Sequence, residues 1–158
     1  MFRRILVPVD GSPCANRGLR AALDLARDQK ASIVLLHVVD ETIIVQSMGS
    51  VDYLAPPDLE SFVDALRQAG RKVLARGEAM LAKAGVDGKS VLCETMGQPV
   101  ADIIVAQARK ARADVIVLGT HGRRGLARMV MGSDAEGVVR ASPVPVMLVR
   151  ATQPRAQR

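Results

Sequence analysis

The chain has 158 residues, of which 49% are hydrophobic and only three, Phe2, Tyr53 and Phe62, are aromatic. That length suits one domain whose core is built from Val, Ile, Leu, Ala and Met, and no apolar run approaches the roughly 18–20 residues of a membrane span. The net charge is +6, but the basic residues are scattered and aromatics for stacking on bases are almost absent, so neither nucleic acid nor membrane is an expected partner.

The order of elements follows from apolar periodicity. "RRILVPV" (3–9) reads as a short buried strand ended by the turn "DGSP". "MFRRILVPVDGS" imitates a signal peptide, but its apolar run stops at Asp10 and is too short for one, so a cytoplasmic location is expected. Ser12 before Pro13 fits an N-cap followed by the first helical position, and Ala15, Leu19, Ala22, Leu23 and Ala26 then share one face of a helix over 13–29. "ASIVLLHVV" (31–39) is a nearly unbroken apolar run, as in a strand buried on both faces.

Residues 40–56 have no period and are expected to form a mobile lid-like loop. A helix is expected from Asp58 to about Lys83, weakened by Gly70 and Gly77 and stopped at Gly85. A strand over 90–96, a helix opened by Gln98-Pro99, and the strand "DVIVLG" (114–119) follow. After a glycine-rich loop come a short helix at 133–141 and the strand "VPVMLV" (144–149), whose Pro145 predicts an edge position. The tail "ATQPRAQR" (151–158) has no apolar pattern and is expected to be disordered and basic. Alternation of strand and helix from 1 to 150 predicts an α/β fold, a single parallel sheet with helices on both faces.

Cys14 and Cys93 form no disulfide framework, and Cys14 is expected to be buried packing. His37 and His121 have no metal-ligand spacing, so no protein-held metal site is expected. The loop "GTHGRRGLARMVMGS" (119–133) is the informative stretch, with four glycines and the arginines Arg123, Arg124 and Arg128. Glycines allow backbone N–H groups to converge on a phosphate, and a helix start adds free donors. The alternative stays open at this level: Ser133 and Glu136 spell a capping box, and Gly119 and Gly122 can be turn residues.

The spacing Gly119-x2-Gly122-x9-Gly132-Ser133 resembles the ATP-binding signature of the universal stress protein family. "ILVPVDGS" (5–12), "VLLHVVD" (34–40) and "PVPVMLVR" (143–150) resemble that family's first, second and closing strands. The resemblance implies a Rossmann-like open twisted sheet of five parallel strands, of the adenine nucleotide alpha hydrolase-like kind. It implies that ATP, or AMP or ADP, binds with adenine against Val38 and the backbone beside Pro8 and Val9. Asp10 would contact the ribose or a metal-bound water, and Gly119 would lie against the ribose. Gly122, Arg123, Gly132 and Ser133 would face the phosphates, which magnesium or manganese would bridge. Ser12, Leu118, His121 and Asp134 complete the candidate nucleotide-binding set.

Within that set Asp10 can equally cap its own turn, Val38 can be plain core, and His121 reads as a loop residue rather than a catalyst. Asp134 departs from the small or apolar residue often found there, and would repel a triphosphate if it pointed inward. No general base or acceptor pocket is legible, so the expected function is a nucleotide-dependent stress-response module with at most slow ATP hydrolysis. The alternative is a dimeric interaction protein of the same fold that binds no nucleotide. The family resemblance also implies a homodimer through the strand at 144–149.

Overall fold

The computed structural model describes residues 1–42, 59–120 and 131–150. Five strands, β1 (Arg4–Pro8), β2 (Ser32–Asp40), β3 (Gly88–Thr95), β4 (Val115–Gly119) and β5 (Val146–Val149), form one parallel sheet in the order β3-β2-β1-β4-β5. Four helices accompany them among the described residues: α1 (Pro13–Gln29), α2 (Leu59–Ala84), α3 (Val100–Ala111) and α4 (Ser133–Ala141). The expected α/β sheet is therefore present, with boundaries shifted by one or two residues at most ends.

Alternation along the strands sorts the core into two layers. Ile5, Val7, Ile33, Leu35, Val115 and Val117 meet Leu19, Ala22 and Ala26 of α1 and Leu74 and Leu81 of α2. Leu6, Val34, Leu36, Ile116 and Leu118 face the other way, onto Ala101, Ile104 and Ala108 of α3 and Ala135 and Val138 of α4. Ile5, Leu6 and Val7 are all fully buried because β1 lies mid-sheet, with Ile5 in register with Ile33 on one side and Val115 on the other. β5 pairs only with β4 among the described residues, as Pro145 predicts, and Met147 on it is exposed.

α1 starts as expected: Ser12 is the N-cap, its Oγ accepts from the Ala15 N–H at 3.1 Å, and Pro13 opens the helix. α2 ends before Gly85, which takes a left-handed φ of +65°. The two helical glycines that weakened α2 in sequence have packing reasons. A Cβ on Gly77 would stand 2.8 Å from Leu35 Cδ1, and one on Gly70 would stand 2.6 Å from His37 Cδ2. α2 thus lies close over β2 because those positions carry no side chain.

Candidate nucleotide cleft

The strand order reverses at β1, where β2 and β4 leave in opposite directions, so a crevice opens beyond the carboxyl ends of these strands. A cleft of about 600 Å³ lies there, within the usual size for small-molecule sites. Pro8 at the end of β1 with Val9 and Asp10 after it, Val38 near the end of β2, Leu118 and Gly119 at the end of β4, and Gly132, Ser133 and Asp134 at the start of α4 all line it. Residues more than a hundred apart in sequence are thereby brought together. His121, Gly122 and Arg123 lie outside the described residues, as do 43–58, where most of the predicted lid falls, and the 151–158 tail.

Each wall is held by backbone chemistry. The Val9 N–H donates to Leu36 O at 2.8 Å, and Val9 O meets the buried His37 ring at Nδ1, 2.7 Å away. Asp10 Oδ1 accepts from the Ser12 N–H at 2.8 Å, so Asp10 does cap its turn while also lining the cleft. Val38 is half-buried against the α3–α4 layer and also reaches the cleft. Thr120 N donates to Val149 O at 3.0 Å, and Gly132 N donates to Thr120 O at 2.9 Å, so Thr120 is tied both to β5 and to the start of α4.

The capping-box alternative fails, and two candidate residues also have structural roles. Ser133 is not an N-cap: Gly132 takes that place with φ −62° and ψ 148°, Ser133 is the first helical residue, and Glu136 pairs with Arg140 at 2.8 Å instead of closing a capping box. Gly132, in extended backbone ahead of the serine, also donates its N–H to Thr120 O. Ser12 does not line the cleft; it is buried, with its hydroxyl committed to Ala15. Gly119 does line the cleft, but its missing side chain faces helix α1, where a Cβ would stand 2.8 Å from the carbonyl carbon of Cys14. Cys14 is buried as expected and its thiol donates to Val149 O at 3.4 Å.

The structure also adds lining residues that the sequence reading passed over. Asp40 ends β2 and accepts from the Thr42 N–H at 3.0 Å and from the Thr42 hydroxyl. Gly97, Gln98 and Pro99 form the rim beyond β3, where Thr95 Oγ1 donates to Gln98 O at 3.0 Å. A strand followed by Gly-Gln-Pro and a helix was the available signal, the same one used for the loops after β1 and β4. Among the described lining residues there are three carboxylates, Asp10, Asp40 and Asp134, and no lysine or arginine.

The N-terminus of α4 is the contrasting feature. α1 is capped by its own serine, whereas no side chain caps α4 at Gly132, and its first residues lie on the cleft wall. The first N–H groups of a helix have no partner within the helix, and the dipole there favours an anion.

A family model described as "Universal stress protein family" matches residues 1–150. Universal stress protein YxiE of Bacillus subtilis is 30% identical over 95% of this chain and 100% of its own. A universal stress protein family structure from Burkholderia pseudomallei is 32% identical, covers 94% of this chain and 96% of its own, and superposes with a TM-score of 0.71. The Archaeoglobus fulgidus universal stress protein solved in complex with dAMP shares the fold at 24% identity and a TM-score of 0.63, over 93% of this chain and 97% of its own. The chain belongs to the universal stress protein family.

Proposed function

We propose that the chain binds an adenine nucleotide, ATP foremost, in the cleft beyond β1, β2 and β4, and acts as a nucleotide-dependent stress-response module with at most slow hydrolysis. The observation that carries this reading is the α4 start, whose N-cap Gly132 makes no side-chain cap bond and whose first residues, Ser133–Ala135, line the cleft. Adenine would lie by Val38 and the Pro8–Val9 backbone, the ribose by Asp10 and Gly119, and the phosphates by Gly132, Ser133 and α4. A relative's complex with dAMP supports the class of ligand.

Charge decides what must accompany the phosphates. The described walls supply only carboxylates, so a triphosphate needs the loop's Arg123, Arg124 or Arg128, a divalent cation, or both. Hard oxygen donors at Asp10, Asp40 and Asp134 fit hydrated magnesium or manganese held by phosphates, with waters between metal and carboxylate.

The same carboxylates favour a second reading, an interaction protein of this fold that carries no nucleotide. Native mass spectrometry of freshly purified protein separates the two, because bound ATP or AMP supports the first and a clean apo mass supports the second. Calorimetric titration with ATP and with AMP, each with and without magnesium, then tests whether the metal offsets the acidic wall. No saturable binding of either nucleotide overturns the proposal.

The edge of β5 that is unpaired among the described residues is proposed to pair with a second copy in a twofold contact, since an apolar edge strand invites pairing. Sedimentation at micromolar concentration tests this. A single species near 16.8 kDa would refute it.

A further inference from the structure

At the opposite end of the sheet from the cleft, a second cavity of about 580 Å³ opens between the starts of β1, β2 and β3 and the end of α3. On β2 this cavity is lined by Ser32–Val34 and the cleft by Leu36–Asp40, so their centres lie about five residues, or roughly 17 Å, apart along the strand. Its charged lining residues are Arg4, Lys89, Lys110 and Arg112, and it has no carboxylate among its lining residues.

These cations come from three separate elements. Lys110 and Arg112 stand at the end of α3, where positive charge complements the helix dipole. That explanation does not reach Arg4 of β1 or Lys89 of β3, which converge on the same cavity. Arg4 is held in place by its guanidinium, which donates from Nη1 to Ala111 O at 2.6 Å. The nearby acid Asp114 accepts at Oδ2 from the backbone N–H groups of Arg3 and Arg4, at 2.7 and 2.8 Å, and its charge also attracts both arginines, so it offsets part of the positive charge of Arg4. Lys89, Lys110 and Arg112 have no acidic partner among the described lining residues, and an anion placed among them would be attracted by all three as well as by Arg4.

We propose that this basal cavity binds a multiply phosphorylated anion, a ligand with a diphosphate or longer phosphate chain. Four cations around a space of this size exceed what one phosphate needs, and the lining has no aromatic to stack on a base. Recognition is therefore of the phosphate chain, at a site separate from the proposed nucleotide cleft.

The test is a titration of the full chain with inorganic pyrophosphate at ~0.15 M salt, followed by amide chemical shifts. Shifts are expected at Ser32, Gly88, Lys89 and Arg112, and they should persist in Gly132→Val, which disturbs only the upper cleft. The double variant Lys89→Gln/Lys110→Gln should bind about tenfold more weakly, the loss expected for two exposed cations. The charge-keeping pair Lys89→Arg/Lys110→Arg should retain binding, which separates charge from folding. Shifts confined to Ser133–Ala135, unchanged affinity in the Gln pair, or equal affinity for sulfate at matched ionic strength would each overturn the proposal.

Discussion

Gly119→Ala separates two explanations for a glycine that ends β4 inside a nucleotide-binding signature. A Cβ there would stand 2.8 Å from both the carbonyl carbon and the Sγ of Cys14, and 2.9 Å from its carbonyl oxygen. Carbon atoms pack at about 3.5–4.0 Å, so the start of α1 or the end of β4 must move by roughly 0.8 Å. Neither is free to do so. Ser12 caps α1, the Cys14 thiol bonds Val149 O, and Thr120 N is held by the same carbonyl. Overpacking of this kind costs about 1–3 kcal/mol, and the smaller backbone entropy of unfolded alanine offsets about 0.4–1 kcal/mol of it. A net loss of about 1–2 kcal/mol lowers the melting temperature by about 3–8 °C in a chain of this size. Gly18→Ala probes the same contact from the helix side. There a Cβ meets Gly119 N at 3.2 Å, and the gain in helix propensity of about 1 kcal/mol should leave stability near wild type. Urea and thermal unfolding without ligand give both values. A Gly119→Ala protein that melts like wild type yet loses ATP would refute the packing argument and assign the glycine to ligand approach.

Three further outcomes are expected. Gly132→Val should lower ATP affinity about a hundredfold, the equivalent of two charge-assisted hydrogen bonds, because a side chain would crowd the α4 donors. Its apo melting should change little, since Gly132 has a φ of −62° that any residue adopts; paired calorimetry and melting check both halves. Ser12→Ala should cost about 1 kcal/mol in urea unfolding, since it leaves the Ala15 N–H without its cap, while ATP affinity is unaffected. Hydrogen bonds from the Arg3 and then the Arg4 backbone N–H hold the Asp114 carboxyl below the ordinary carboxylate range. Its contribution to stability is therefore complete above that range and lost as pH falls through the lowered folded value. Asp114→Asn should thus unfold earlier in denaturant at neutral pH and match wild type in strong acid, and parallel curves at all pH values would contradict this.

Periodicity made the layers readable because each strand of the parallel sheet is covered on both faces. In β2 the uninterrupted run places Ile33 and Leu35 in one layer and Val34 and Leu36 in the other, which only a doubly covered strand requires. Local signals failed where a distant partner decided the outcome. Ser133 and Glu136 satisfy the capping pattern on paper, yet Gly132, bonded to Thr120 O, takes the N-cap place and Ser133 is already helical. The glycines of α2 look like flaws until Leu35 and His37, more than thirty residues earlier in the chain, are set beneath them. The cleft's loops after β1 and β4 could be found from strand ends alone. Its far rim at Gly97–Pro99 needed the knowledge that the crevice extends over β2 toward β3.

The central place of β1 has a consequence for how the chain is made. Ile5 and Leu6 emerge first from a ribosome, yet their partners on one side, Val115 and Ile116, follow more than a hundred residues later. Until then β1, β2 and β3 can assemble with α1 and α2 as a three-stranded sheet in which β1, with Ile5, Leu6 and Val7, has a bare edge. Non-local pairing of this kind is slow, and at translation speeds of about 5–20 residues per second the edge stays open for seconds. The nascent chain is therefore most prone to mispairing just before β4 appears, and the walls of the cleft cannot meet until α4 has followed it.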